Sequence, residues 1–265
     1  MAYTKLIPRF TPGAKVEEIS SDNHREAYRL SIPAGLANKY RLAQLDDYPQ
    51  LRRSDFPWRL PVRFSLAART SNGSIPGTWG FGFWNDPFGL SLGFGGNPFR
   101  LPTLPNAVWF FGASKESYLS FAGGLDTGEK SALSTRPLAA NGFLAQTFRS
   151  PRFHPSLILA GLAFPFARKT TRRLLGKVIA EDGINLSVDV TQWQRYSLDW
   201  RENRVLFAVD DVQVFESPVS PNPPLGLVIW IDNQFAAFTP AGKIGFGVLE
   251  TPEPAWLEIK DIDVG

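Results

Sequence analysis

The segment Thr78-Trp-Gly-Phe-Gly-Phe-Trp84 constrains this chain more than any other. In an extended backbone successive side chains point to opposite faces, so Trp79, Phe81 and Phe83 fall on one side. Thr78, Gly80, Gly82 and Trp84 fall on the other, and bare glycine backbone on a sheet marks a place where something else packs closely. The strand runs into Asn85-Asp86-Pro87, where proline enforces a turn and brings an aromatic, an amide and a carboxylate together. Such a segment is either a binding surface or a tight core.

The same alternation recurs along the chain. Extended segments are expected at residues 27–32, 40–45, 60–69, 143–148, 225–232, 243–249 and 256–264. The runs 196–200, 205–209 and 212–215 are separated only by Arg201-Glu-Asn203 and Asp210-Asp211, as in a three-strand meander with two tight turns. Residues 108–112 and 118–121 are expected to pair across 113–117, and 60–69 to form a hairpin with the focal strand through Ser71-Asn-Gly-Ser74. Residues 1–25 read as an irregular arm. The 23 Gly and 22 Pro are spread over 265 residues rather than massed in a linker, and aromatics make up 13%. The expectation is one all-β domain over 1–265, a two-sheet antiparallel sandwich.

One stretch breaks the pattern. Residues 157–164 are apolar, Pro165 follows, and Arg168, Lys169, Arg172, Arg173 and Lys177 come next, with Leu174, Leu175, Val178 and Ile179 on one stripe. This predicts a basic helical insertion over about 155–180, too short in its apolar part to span a bilayer. It is suited to cover one end of the sandwich, to act as a lid, to contact a second copy, or to lie through 157–179 on an anionic membrane surface. The formal net charge of +3 is too small to argue for nucleic acid. With no Cys and two His, neither a thiolate nor a His-rich metal site is expected, and no cofactor is called for. The first ten residues lack a signal-peptide core, which places the expectation in the cytoplasm.

The candidates for chemistry are few. Asp46 and Asp47 are adjacent, so on a strand only one of them can face a given side. Asp86, in the turn after Trp84, and Asp232, beside Asn233, are further carboxylates, and His154 precedes Pro155. An acid held among aromatic rings rises in pKa and suits proton donation, while His is the side chain most easily poised near neutrality. Tyr48, Trp79, Trp84, Asn85, Trp109, Phe111 and Trp230 are the candidate lining of a concave face, suited to an apolar ligand or to sugar rings stacked on indoles. Trp200 and Trp256 lie in apolar strand patterns and are expected in the core, and Asp210 and Asp211 read as turn residues.

The stretch Tyr196-Ser-Leu-Asp-Trp-Arg-Glu-Asn-Arg-Val-Leu-Phe-Ala-Val-Asp210, then Pro221 to Pro224 and Leu225-Gly-Leu-Val-Ile-Trp230, resembles the closing half of glycoside hydrolase family 16. The focal strand resembles that family's Gly-x-Trp-Pro-Ala-Phe-Trp, with Gly77, Trp79, Phe83 and Trp84 matching. The resemblance implies a concanavalin A-like jelly roll with a concave ligand face. It also implies a Glu-x-Asp-x-Glu strand next, with the two carboxyls a retaining glycosidase needs. Here the next strand is Asn106-Ala-Val-Trp-Phe-Phe-Gly-Ala-Ser114, without a carboxylate, and Gln194 stands nearest the family's histidine. The expectation is therefore an enzyme other than a glycosidase, or a binder, acting on a hydrophobic or amphiphilic small molecule. The alternatives are a carbohydrate-binding protein without catalysis and a glycosidase with relocated carboxylates such as Asp86 with Asp47.

Overall fold

The computed structural model describes residues 5–19, 26–87, 103–118, 141–151, 178–238 and 244–265. Among these, sixteen strands follow one another: β1 Ile7–Phe10, β2 Lys15–Ile19, β3 Ala27–Ile32, β4 Leu42–Asp46, β5 Val62–Thr70, β6 Thr78–Trp84, β7 Ala107–Ala113, β8 Gly142–Arg149, β9 Ala180–Asn185, β10 Gln194–Arg201, β11 Arg204–Val209, β12 Val212–Ser217, β13 Gly226–Asp232, β14 Gln234–Phe238, β15 Ile244–Val248 and β16 Ala255–Val264. They build one seven-stranded sheet in the order β1-β4-β13-β6-β7-β8-β9 and a second in the order β12-β11-β10-β5-β16-β3-β2. A two-stranded ribbon, β14-β15, completes the set. The two sheets form an antiparallel jelly-roll sandwich, the fold class expected.

Alternation decides what lies between the sheets. From β6 the rings of Trp79, Phe81 and Phe83 point inward, to meet Phe64 and Leu66 of β5, Tyr196, Leu198 and Trp200 of β10 and Leu257 and Ile259 of β16. Trp79 stacks on Phe143 at 4.9 Å with planes 9° apart, so it belongs to this core and does not line the outer face. Trp200 is fully buried as expected, and its indole N–H donates to Ser220 Oγ at 3.1 Å. The meander β10-β11-β12 also forms as read, and Asp210 and Asp211 occupy the left-handed region with φ of 48° and 64° in its second turn.

Several expectations are corrected. The arm contains β1 and β2, which pair with β4 and β3 and form edges of the two sheets. Segment 71–77 is a crossover, because β5 and β6 lie in different sheets. The neighbours of β7 are β6 and β8, so it does not pair with Tyr118, which bridges Ala237 instead. Trp256 lies half-buried on the outer face of the second sheet, with the Arg29 and Arg69 guanidiniums 5.1 and 5.6 Å from its ring. Beside it Arg69 and the Lys260 ammonium stand 4.8 and 4.4 Å from the Trp193 ring, and Glu258 accepts from both Arg29 and Arg69. His154 and nearly all of the basic insertion lie outside the described residues. Its last residue but one, Ile179, is buried against the outer face of the first sheet, and Ala180 already begins β9.

Candidate functional site

The outer face of the first sheet is the other half of the alternation. Register places Gln44 opposite Trp230, Trp230 opposite Gly80, Gly80 opposite Phe111 and Phe111 opposite Leu144. The adjoining row runs Asp46, Val228, Gly82, Trp109, Gln146. The glycines serve the rings beside them. A Cβ on Gly80 would stand 2.9 Å from Trp230 Cη2, so the indole of β13 lies across bare β6 backbone. At Gly226, opposite Trp84, a methyl would run into the Tyr48 ring.

The rings form one cluster. Trp84 and Trp230 are parallel within 4° at 6.2 Å, and Trp109 lies 6.0 Å from Trp84, 5.5 Å from Trp230 and 5.3 Å from Phe111. Tyr48 and Phe56, from the segment after β4, join it with their rings 4.6 Å apart, and the Trp84 indole N–H donates to the Tyr48 hydroxyl. Trp109 and Trp230 are only 5% and 7% exposed and Tyr48 is fully buried, whereas Trp84 is half-buried and forms the accessible side of the cluster.

Polar groups are sparse and individually positioned. Trp230 Nε1 donates to Thr78 Oγ1 at 3.0 Å, which donates to Asp232 Oδ1 at 2.8 Å, and Tyr40 donates to Asp232 Oδ2 at 3.2 Å. Burial pushes the Asp232 carboxyl up to about 6, against the donors Thr78, Gln234 N–H and Tyr40, and burial and Asp232 together raise Tyr40. Trp109 Nε1 donates to Gln146 Oε1 at 3.3 Å. Asn85 bonds through its side chain to Leu104 O and Asn106 N, and Arg53 holds the Asn85 and Asp86 carbonyls, so both residues fasten the turn after β6. Asp86, with φ of 48°, has its charge within reach of Tyr48.

Asp46, the last residue of β4, and Asp47, just beyond it, point to opposite sides. Asp46, fully buried, faces the aromatic cluster, accepting from Gln44 Nε2 at 2.6 Å and Arg9 Nη1 at 3.4 Å. Burial raises its pKa, with Gln44, Arg9 and the Tyr48 amide pulling the other way. Asp47 turns to the opposite side, accepting from Trp58 Nε1 at 2.5 Å and Leu227 N–H at 2.9 Å, and burial pushes it up to about 7. It therefore does not face Asp86 across the outer side of the sheet. Asp46 and Asp232 do share that face, but Asp46 is in register with Val228, and the four residues on to Asp232 span about 13 Å at ~3.3 Å each. A glycosidase pair stands about 5–5.5 Å or about 6.5–9.5 Å apart. β7 carries no acidic side chain.

The face also holds groups the sequence reading missed. Gln44 is two residues from Asp46, a spacing that places both on one side of a strand. Arg9 fell in the segment read as an arm. Glu181, 2% exposed and in register with Phe148, lies on β9, whose Glu-Asp-Gly composition gives little strand signal.

The fold and this face define a jelly roll with an aromatic outer surface on one sheet. The sequence matches no protein-family model and no curated protein. Among solved structures, its chain trace is similar to a glycoside hydrolase family 16 endo-glucanase from Bacteroides ovatus, at 9% identity and TM-score 0.47 over 99% of this chain and 96% of that one. It is also similar to LamAcat from Zobellia galactanivorans, at 14% identity and TM-score 0.45 over 95% and 91%. A third is the pseudo beta-1,3-glucanase of Mycobacterium tuberculosis, at 12% identity and TM-score 0.43 over 90% and 74%.

Proposed function

We propose that the protein binds an amphiphilic small molecule on the outer face of the first sheet, with its apolar part against Trp84, the accessible side of the cluster that Trp109, Trp230 and Phe111 back. The observation that carries this reading is the cluster itself. Three strands, β6, β7 and β13, direct these aromatic rings to the side of the first sheet away from the inner core, and few polar groups interrupt them. The wide spacing of Asp46 and Asp232 speaks against glycoside hydrolysis by that pair. A second reading, a saccharide stacked on Trp84, is favoured by the partial exposure of that one indole.

Titration of tryptophan fluorescence with octyl β-glucoside, 1-octanol and cellotetraose tests both. Binding of the first two, lost in Trp84→Ala, is the expected result. Binding of cellotetraose alone would select the saccharide reading, and a response to none of the three would dispose of both.

A further inference from the structure

The outer face of the second sheet gathers charge of one sign. Arg29 of β3 and Arg69 of β5 stand in register on either side of Glu258 of β16, whose carboxylate accepts Arg29 Nε at 2.8 Å and Arg69 Nε at 2.7 Å. Lys260, two residues along β16 and so on the same face, and Arg195 of β10 lie on either side of Ala67 in the adjoining row. Neither of these two makes a side-chain ion pair among the described residues, and Asp210, at the turn beyond, accepts from the Arg195 backbone N–H. The face thus sets four cations against one buried carboxylate.

These cations are held in position yet remain open to solvent. The Arg69 guanidinium lies 4.8 Å from the Trp193 ring and 5.6 Å from that of Trp256, Arg29 lies 5.1 Å from Trp256, and Lys260 Nζ lies 4.4 Å from Trp193. The side chains of Arg29 and Arg69 still expose 43% and 36% of their surface, and Arg195 is exposed. A side chain already seated on an indole loses less freedom when a partner arrives.

The arrangement selects among anions. From β3 across β16 and β5 to β10 is three strand spacings of about 4.8 Å, or about 14 Å, which a chain bearing several charges spans and one small anion does not. Cations lie against both indoles, so a nucleobase that binds by stacking meets guanidinium or ammonium first. Among the described residues, the one large apolar side chain that the second sheet leaves exposed is Val212, on the edge strand β12, so this array has nothing to bury in a lipid layer.

We propose that this face binds a linear anionic polysaccharide, its carboxylate or sulfate groups meeting Arg29, Arg69, Lys260 and Arg195 in succession. The site is separate from the aromatic face of the first sheet and does not depend on how that face is read.

Isothermal titration of the full chain with a heparin oligosaccharide, polygalacturonate, oligothymidylate and phosphatidylserine vesicles tests it. Both saccharides should bind, and more weakly as salt is raised. Lys260→Gln combined with Arg195→Gln, neither of which pairs with Glu258, should weaken that binding about tenfold through the loss of two exposed ion pairs. Arg172→Gln combined with Arg173→Gln removes the same formal charge elsewhere in the chain and should change it by less than about twofold. Wild-type affinity in a K260Q/R195Q protein shown folded by its thermal melt, or equal losses in the two double variants, would overturn the proposal. Tighter binding of oligothymidylate or of the vesicles would overturn it too, as would failure of both saccharides to bind.

Discussion

Burial holds the Asp47 and Asp232 carboxyls at about 7 and about 6, against 3.8 for the free side chain. A carboxyl whose pKa is higher folded than unfolded takes up protons on folding, so its contribution favours the fold at low pH and is lost as pH rises through the folded value. Stability should therefore fall from about pH 4 to about pH 7, Asp47 contributing roughly 4 kcal/mol at most, since one pKa unit is about 1.4 kcal/mol. Asp47→Asn should flatten most of that slope in thermal melts across the range. A wild-type melting temperature that rises with pH there, or an unchanged slope in the variant, would refute this. Strand alternation alone made legible that Asp46 and Asp47 part company. Which of them faced the rings was not legible, because that depends on pairing with β13 and on Arg9, both distant in sequence.

At the scale of the element, β6 separates two jobs by parity. Phe83 is fully buried between the sheets, so Phe83→Ala should destabilise by about 3–5 kcal/mol in denaturant unfolding. Trp84→Ala should be the milder lesion for stability and the severe one for binding. If both variants lose stability equally and neither affects binding, the division of faces is wrong. The strands rich in aromatic and branched residues were readable because their own side chains fill the core. β1, β2 and β9 were not: all three are sheet edges, short and with few aromatic or branched residues in alternation. An edge takes its conformation from one neighbour and carries charges such as Lys15, Glu17 and Glu18. The turn Ser71-Asn-Gly-Ser74 announced a change of direction, yet turn chemistry does not say which sheet the chain enters next.

For the whole molecule, the inner cluster takes side chains from both sheets, including Phe81 and Ile229 from one and Phe64, Trp200 and Ile259 from the other. Neither sheet keeps a covered inner face without its partner, so near-ultraviolet dichroism and tryptophan fluorescence should report one coincident unfolding transition. Separate midpoints would show that the sheets unfold independently. The Arg29, Trp256, Arg69, Trp193 and Lys260 array on the back of the second sheet bears on a different property, behaviour at high concentration. Two indoles on a broad flat surface are ordinarily adhesive. Here guanidinium and ammonium groups lie against them, and a second molecule approaching with the same face brings the same charges. Such a screen of cations, held in place by Glu258, should keep the back of the sandwich from stacking on itself, and sedimentation at high protein concentration would check it: a concentration-dependent dimer abolished by Trp256→Ala would refute it.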